Sequence, residues 1–238
     1  MKTYKNLLQY YFVRHIKSIS MISPIVVWFI YQYIIYSVKG TEWTSICTGT
    51  VRFLFLLMMW MGFSYLENIN KLEEDIFLLR LNNKNKYYRS RIIFIYSIGI
   101  LLTFIGALIA IILRVTGFFQ GEVTLSNLAL YIISCILASI LGASMGLLFD
   151  PAYFINRKTA LSFMLLFVVL SIAKEGMVYQ YKSLKYVLSI LPPICELCNV
   201  IDSMEYFNIS KMALAAVYAL GYSYLLILVS KVIRRMKK

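Results

Sequence analysis

The chain has 238 residues, 61% of them hydrophobic and only 15% charged, with a formal net charge of +13. A soluble domain runs nearer about 45–50% apolar and about 25% charged, so a mean hydropathy of +0.74 excludes a single soluble core and makes the bilayer the expected solvent. The basic excess would suit nucleic acid only if it formed a binding face, and its placement along the chain argues for membrane topology instead.

Residues 3–19, TYKNLLQYYFVRHIKSI, come first. Leu7, Leu8, Tyr11, Phe12 and Ile16 recur at helical spacing, broken by Lys5, Gln9 and Lys17. This predicts an amphipathic helix lying in the inner interface. His15 has no second histidine to work with and reads as a surface residue. The first of six apolar stretches follows at about 21–38, and the others lie at about 47–66, 92–113, 125–149, 160–173 and 212–230. Most approach the roughly 20 residues that cross a hydrocarbon core. Backbone groups in lipid must pair internally, and runs such as LSFMLLFVVL do not alternate, so the spans are predicted to be helices. No small-residue cleavage site follows the first stretch, which is therefore expected to stay in the membrane. Tyr31, Tyr33, Tyr36 and Trp43 mark its outer end, as aromatic belts do.

Between the second and third stretches lies LEEDIFLLRLNN, Leu72 to Asn83. Ile69, Leu72, Ile76 and Leu79 form one helical stripe. Glu73, Glu74 and Asp75 come early and Arg80 late, which suits the helix dipole, and Lys71 and Asp75 form an i, i+4 pair. Asn82-Asn83 ends the pattern. The spacing predicts a short cytoplasmic helix over about 68–81. Its acidic cluster suits an anionic inner leaflet poorly and a protein groove better. Tyr87 and Tyr88 then precede the third stretch on the inner side.

The fourth stretch carries Ala138, Gly142 and Gly146 at four-residue spacing, which lets two helices approach closely. This spacing serves either an internal helix contact, which every multi-span protein needs, or a subunit interface. Asp150-Pro151 ends the stretch, as Arg52 and Arg114 mark the edges of the second and third, and no acid lies clearly mid-span. That counts against an ion-driven transporter with a buried proton or sodium relay. The fifth stretch, TALSFMLLFVVLSIA, is short. The outer segment 174–211 holds SLKYVLSIL, then Pro192-Pro193, then ICELC. A proline pair stops a helix, so two short helical pieces around a turn, dipping back onto the membrane domain, are expected. Cys195 and Cys198 lack a second ligand pair, and an unpaired structural role is favoured over a disulfide or a metal or redox function.

With the N-terminus cytoplasmic, the inner segments hold 17 basic residues and the outer segments and span edges 7. The bias places both termini in the cytoplasm of a multi-pass protein with a single transmembrane domain over residues 1–238. There is no GxxxxGK[ST], HExxH or GxSxG pattern, so no catalytic, cofactor-binding or metal-binding residues are assigned.

Taken in order, these features resemble the membrane subunit of a type-2 ABC exporter. TYKNLLQYYFVRHIKSI stands where that family has its interfacial helix, LENINKLEEDIFLLRL where it has a coupling helix between spans two and three, and SLKYVLSILPPICELC where it has a re-entrant hairpin before span six. The small size and missing nucleotide domain look like peptide-antibiotic immunity or toxic-peptide export systems. The resemblance implies an all-helical fold with six spans in the cell membrane. It also implies a separate ATP-binding cassette ATPase carrying ATP and magnesium, and a second copy of this chain or a related permease. Ile76, Phe77 and Leu79 would anchor the ATPase, and Glu73, Glu74, Asp75 and Arg80 would set register. A self-sufficient secondary transporter and a non-transporting scaffold are the alternatives; internal repeats expected of the former are not apparent.

Overall fold

The computed structural model describes residues 9–13, 19–38, 40–67, 74, 77, 79, 84–115, 124–151, 154, 156–202 and 209–236. The regular elements are helices: α1 (Ile19–Ile35), α2 (Trp43–Glu67), α3 (Lys84–Val115), α4 (Leu125–Leu148), α5 (Arg157–Gln180), a 3₁₀ turn (Lys182–Leu184), α6 (Lys185–Leu188), α7 (Ile194–Asp202) and α8 (Ile209–Met236). Residues 9–13 and Glu74, Phe77 and Leu79 are also helical. Five helices, α2, α3, α4, α5 and α8, are long and apolar enough to cross a membrane. This architecture is compatible with a multi-pass membrane protein.

The apolar stretches and the helices differ in three places. The first stretch reads to residue 38, but α1 stops at Ile35, where a turn leads to Gly40 at φ 78°. Its apolar part, Met21–Ile35, is shorter than the other five. The fifth stretch reads as short, yet α5 has 24 residues, because Lys174 and Glu175 interrupt the apolar run without interrupting the helix. Arg52 was expected at the start of a span. Because α2 begins at Trp43, Arg52 lies roughly 13 Å along the helix axis.

Helix starts follow from local chemistry. Thr124 caps α4 by accepting the Asn127 N–H at 3.2 Å. At α5 the Thr159 hydroxyl donates to the Asn156 carbonyl at 2.6 Å and accepts the Asn156 N–H at 3.3 Å. Both satisfy backbone groups that a helix terminus leaves open.

The core is the α2–α4 pair. About 72% of the apolar window of α2 and 67% of that of α4 is buried, against 33% for α3, 28% for α8 and 22% for α5. Two helices in lipid meet closely only where side chains are small. Here Gly142 and Gly146 of α4 lie against the Phe55 and Met59 carbonyls of α2, and Gly62 of α2 lies against Ala143 of α4. The Ala138, Gly142 and Gly146 stripe is thus an internal helix crossing, with Ala138 fully buried. Around the pair, α3 joins α4 through Tyr96 and Ser144 hydroxyls 2.7 Å apart. The Ser230 hydroxyl of α8 donates to the Leu147 carbonyl at 3.3 Å.

Candidate functional site

At one end of the helix bundle four chain segments converge on one cation. Arg91, in the early turns of α3, is 4% exposed. Its guanidinium carbon lies 5.4 Å from the ring centres of Tyr65 and Tyr87 and 5.8 Å from that of Tyr88. Its Nη1 donates to Glu74 Oε1 at 3.3 Å. Tyr87 and Tyr88 precede Arg91 by four and three residues, so the helix itself puts both rings beside the guanidinium. Tyr65 comes from the last turns of α2. Tyr11 packs edge-on against Tyr65 and Tyr87 at 6.3 Å, and Phe94 lies 5.8 Å away. Phe77 closes the group, 4.9 Å from Tyr10 and stacked 6.2 Å from Tyr87.

A buried charge is tolerated only when paired and hydrogen-bonded. Arginine suits this site better than lysine, because its planar, weakly hydrated guanidinium stacks on rings and still donates to a carboxylate. The cage therefore clamps the N-terminal helix, the end of α2, the loop helix and the start of α3 around one side chain.

The predicted docking residues divide on this geometry. Glu74 and Phe77, three residues apart on one helix face, turn toward the chain. Leu79 turns away and is 82% exposed. Glu73, Asp75, Ile76 and Arg80 lie outside the described residues. By sequence Arg91 is one of the 17 basic residues assigned to the inner segments, with nothing in its charge alone to single it out. The Tyr87–Tyr88–Arg91 spacing was the available signal for its role. Nearby, Glu67 at the end of α2 accepts from Arg157 Nε at 2.7 Å. Arg157 is largely exposed, so this surface pair contributes little stability.

At the opposite end the predicted hairpin residues Pro192 and Pro193 are both buried, between α6 and α7. On α8, the Tyr218 hydroxyl donates to the Ser189 carbonyl at 3.0 Å and the Tyr222 hydroxyl to the Ile190 carbonyl at 2.7 Å. These carbonyls precede the proline pair, which supplies no N–H donors of its own. The apolar face of α7 is fully enclosed at Ile194, Leu197, Cys198 and Ile201. Its polar side grips α5: Lys174 Nζ meets Glu196 Oε1 at 2.6 Å, and the Cys195 thiol donates to the Ser171 carbonyl at 3.2 Å. Lys174 was expected to begin the outer loop. It is instead a buried residue of α5 whose charge is answered by α7.

Cys195 and Cys198 are free, buried thiols. Burial pushes the Cys198 thiol up to about 11, with Arg52 beside it opposing the shift in part. The thiolate is the nucleophile, so a raised pKa and burial both slow alkylation. At neutral pH, maleimide labelling of Cys195 and Cys198 in the folded chain is expected to be at least tenfold slower than after denaturation. Mass spectrometry of tryptic peptides reads this directly, and equal rates would contradict the packing of α7.

No family model matches the chain, and no curated protein or solved structure matches it either.

Proposed function

We propose that the chain is the membrane-spanning permease subunit of an ATP-driven type-2 ABC exporter, moving amphipathic peptides or other hydrophobic substrates out of the cell. The cage at Arg91 is the observation that carries the reading. A docking segment can move the spans only if it is fastened to them. Glu74 and Phe77 fasten the loop helix to the start of α3 through a partly buried ion pair and a ring stack, and Arg91 of that pair packs against Tyr65 of α2. Leu79, on the predicted apolar stripe, is left outward and exposed. That division, one face locked and one face open, is what a lever between a motor and a membrane domain requires. In this reading α1 completes six spans and both termini are cytoplasmic. The segment around Pro192 and Pro193 is the re-entrant hairpin. A separate ATPase chain holds ATP and magnesium, and a second permease copy or relative completes the pathway.

Leu79 gives the cleaner test, because charge reversal at Glu74 would also break the Arg91 pair. The tagged chain, purified in detergent from cells also expressing the neighbouring reading frames, is expected to retain a P-loop ATPase. Leu79→Asp is expected to lower the retained ATPase at least tenfold while leaving the yield of folded permease unchanged. Absence of any ATPase from the parent preparation, or full retention by Leu79→Asp with unchanged transport, would overturn the assignment.

A further inference from the structure

Trp28 and Gln32 stand one turn apart on α1 and share a face. They are 0% and 2% exposed. Among the described residues, Trp28 Nε1 and both amide atoms of Gln32 have no hydrogen-bond partner. Such atoms are strongly unfavourable in an apolar medium, and intramembrane polar groups left in this state mark functional positions.

The unmatched Gln32 Nε2, the Trp28 ring and the Tyr131 hydroxyl meet beside one glycine. A Cβ added to Gly106 of α3 would meet Trp28 Cζ2 at 3.1 Å, the Tyr131 hydroxyl of α4 at 3.3 Å and Gln32 Nε2 at 3.6 Å. Ser134, three residues beyond Tyr131 on α4, is fully buried and its hydroxyl is likewise unpartnered among the described residues. Two helices, α1 and α4, thus bring hydrogen-bonding groups to a point where α3 has no side chain.

The chemistry of these groups restricts what fits between them. The Trp28 indole can only donate, whereas the Gln32 amide donates through Nε2 and accepts through Oε1. A pure acceptor would leave Oε1 unmatched, and a pure donor would leave the indole unmatched. None of the four side chains carries a charge, so an ion would be uncompensated. We propose that Trp28, Gln32 and Tyr131 hold, beside Gly106, a neutral guest that both accepts and donates hydrogen bonds: an ordered water, or the hydroxyl or amide of an amphiphile entering from the bilayer. The site stands apart from the transport reading and does not depend on it.

The chain has three tryptophans, Trp28, Trp43 and Trp60, so ¹⁵N-tryptophan labelling in lipid nanodiscs gives three indole signals, and Trp28→Phe assigns one. If the guest is water, magnetisation transfers from water to the Trp28 indole N–H. That transfer is expected to fall at least fivefold in Gln32→Met, which keeps the length of the side chain, and in Gly106→Ala, which fills the space with a methyl group. If the guest comes from the bilayer, water transfer is absent. N-octylacetamide then shifts the Trp28 signal saturably in the parent chain and not in either variant. A Trp28 indole that responds to neither water nor the amide, or a response unchanged in both variants, overturns the proposal.

Discussion

Arg91→Ala is expected to lower the stability of the chain by about 3 kcal/mol, the lower end of what breaking a buried ion pair costs. The lower end applies because the Glu74 side chain keeps 23% of its exposure and can be partly hydrated once its partner is gone. The guanidinium itself is nearly enclosed, so its removal also strips three tyrosine rings of their central contact. Arg91→Lys keeps the charge but loses the planar stacking, and should fall between alanine and the parent. Reversible denaturation in mixed micelles, followed by far-UV circular dichroism, measures the difference. If Arg91→Ala unfolds at the parent's denaturant concentration, the cage contributes nothing to holding these four segments. Under the exporter reading, an assembly carrying this variant should let its separate ATPase hydrolyse ATP without moving substrate, because the ion pair that fastens the loop helix to α3 is gone.

The second large effect lies at the α2–α4 crossing. A Cβ on Gly142 would fall 2.2 Å from the Phe55 carbonyl oxygen, and one on Gly146 would fall 2.3 Å from that of Met59. Both obstacles are backbone, which cannot rotate aside as a side chain can. Gly142→Ala therefore forces the two most buried helices apart, an overpacking cost of about 3 kcal/mol or more. Gly142→Leu should abolish folded protein. Gly176 on α5 is the control, since an added Cβ there meets nothing within 4 Å. Replacing a helical glycine in open surroundings by alanine is favourable by about 0.5–1 kcal/mol. Opposite signs for the two Gly→Ala changes, measured in the same denaturation assay, are the expected result. Equal effects would mean that α2 and α4 do not cross at these glycines.

Much of this arrangement is legible from residue order. The proline pair separates two short helices because proline removes donors, whatever surrounds it. The four-residue spacing of Ala138, Gly142 and Gly146 marks a close helix contact because spacing alone decides which side chains share a face. Periodicity predicts a loop helix over about 68–81, and Glu74, Phe77 and Leu79, the described residues within it, are helical. It does not say which face of that helix is already occupied. Reading Glu74 and Phe77 as outward contacts required only the pattern, whereas finding them turned inward required Tyr10, Tyr87 and Arg91 in space.

Hydropathy by itself determined that the chain is built of long apolar helices, because the signal is local and each helix satisfies its own backbone. Only the tertiary structure decided where the charges go. Lys174 is buried in α5 because Glu196, 22 residues on, reaches it, and Arg91 is caged because residues from three other segments surround it. It also decided that the small-residue stripe of α4 meets α2 within the same chain. Partner choice between distant residues depends on packing geometry, which no window of neighbouring residues contains.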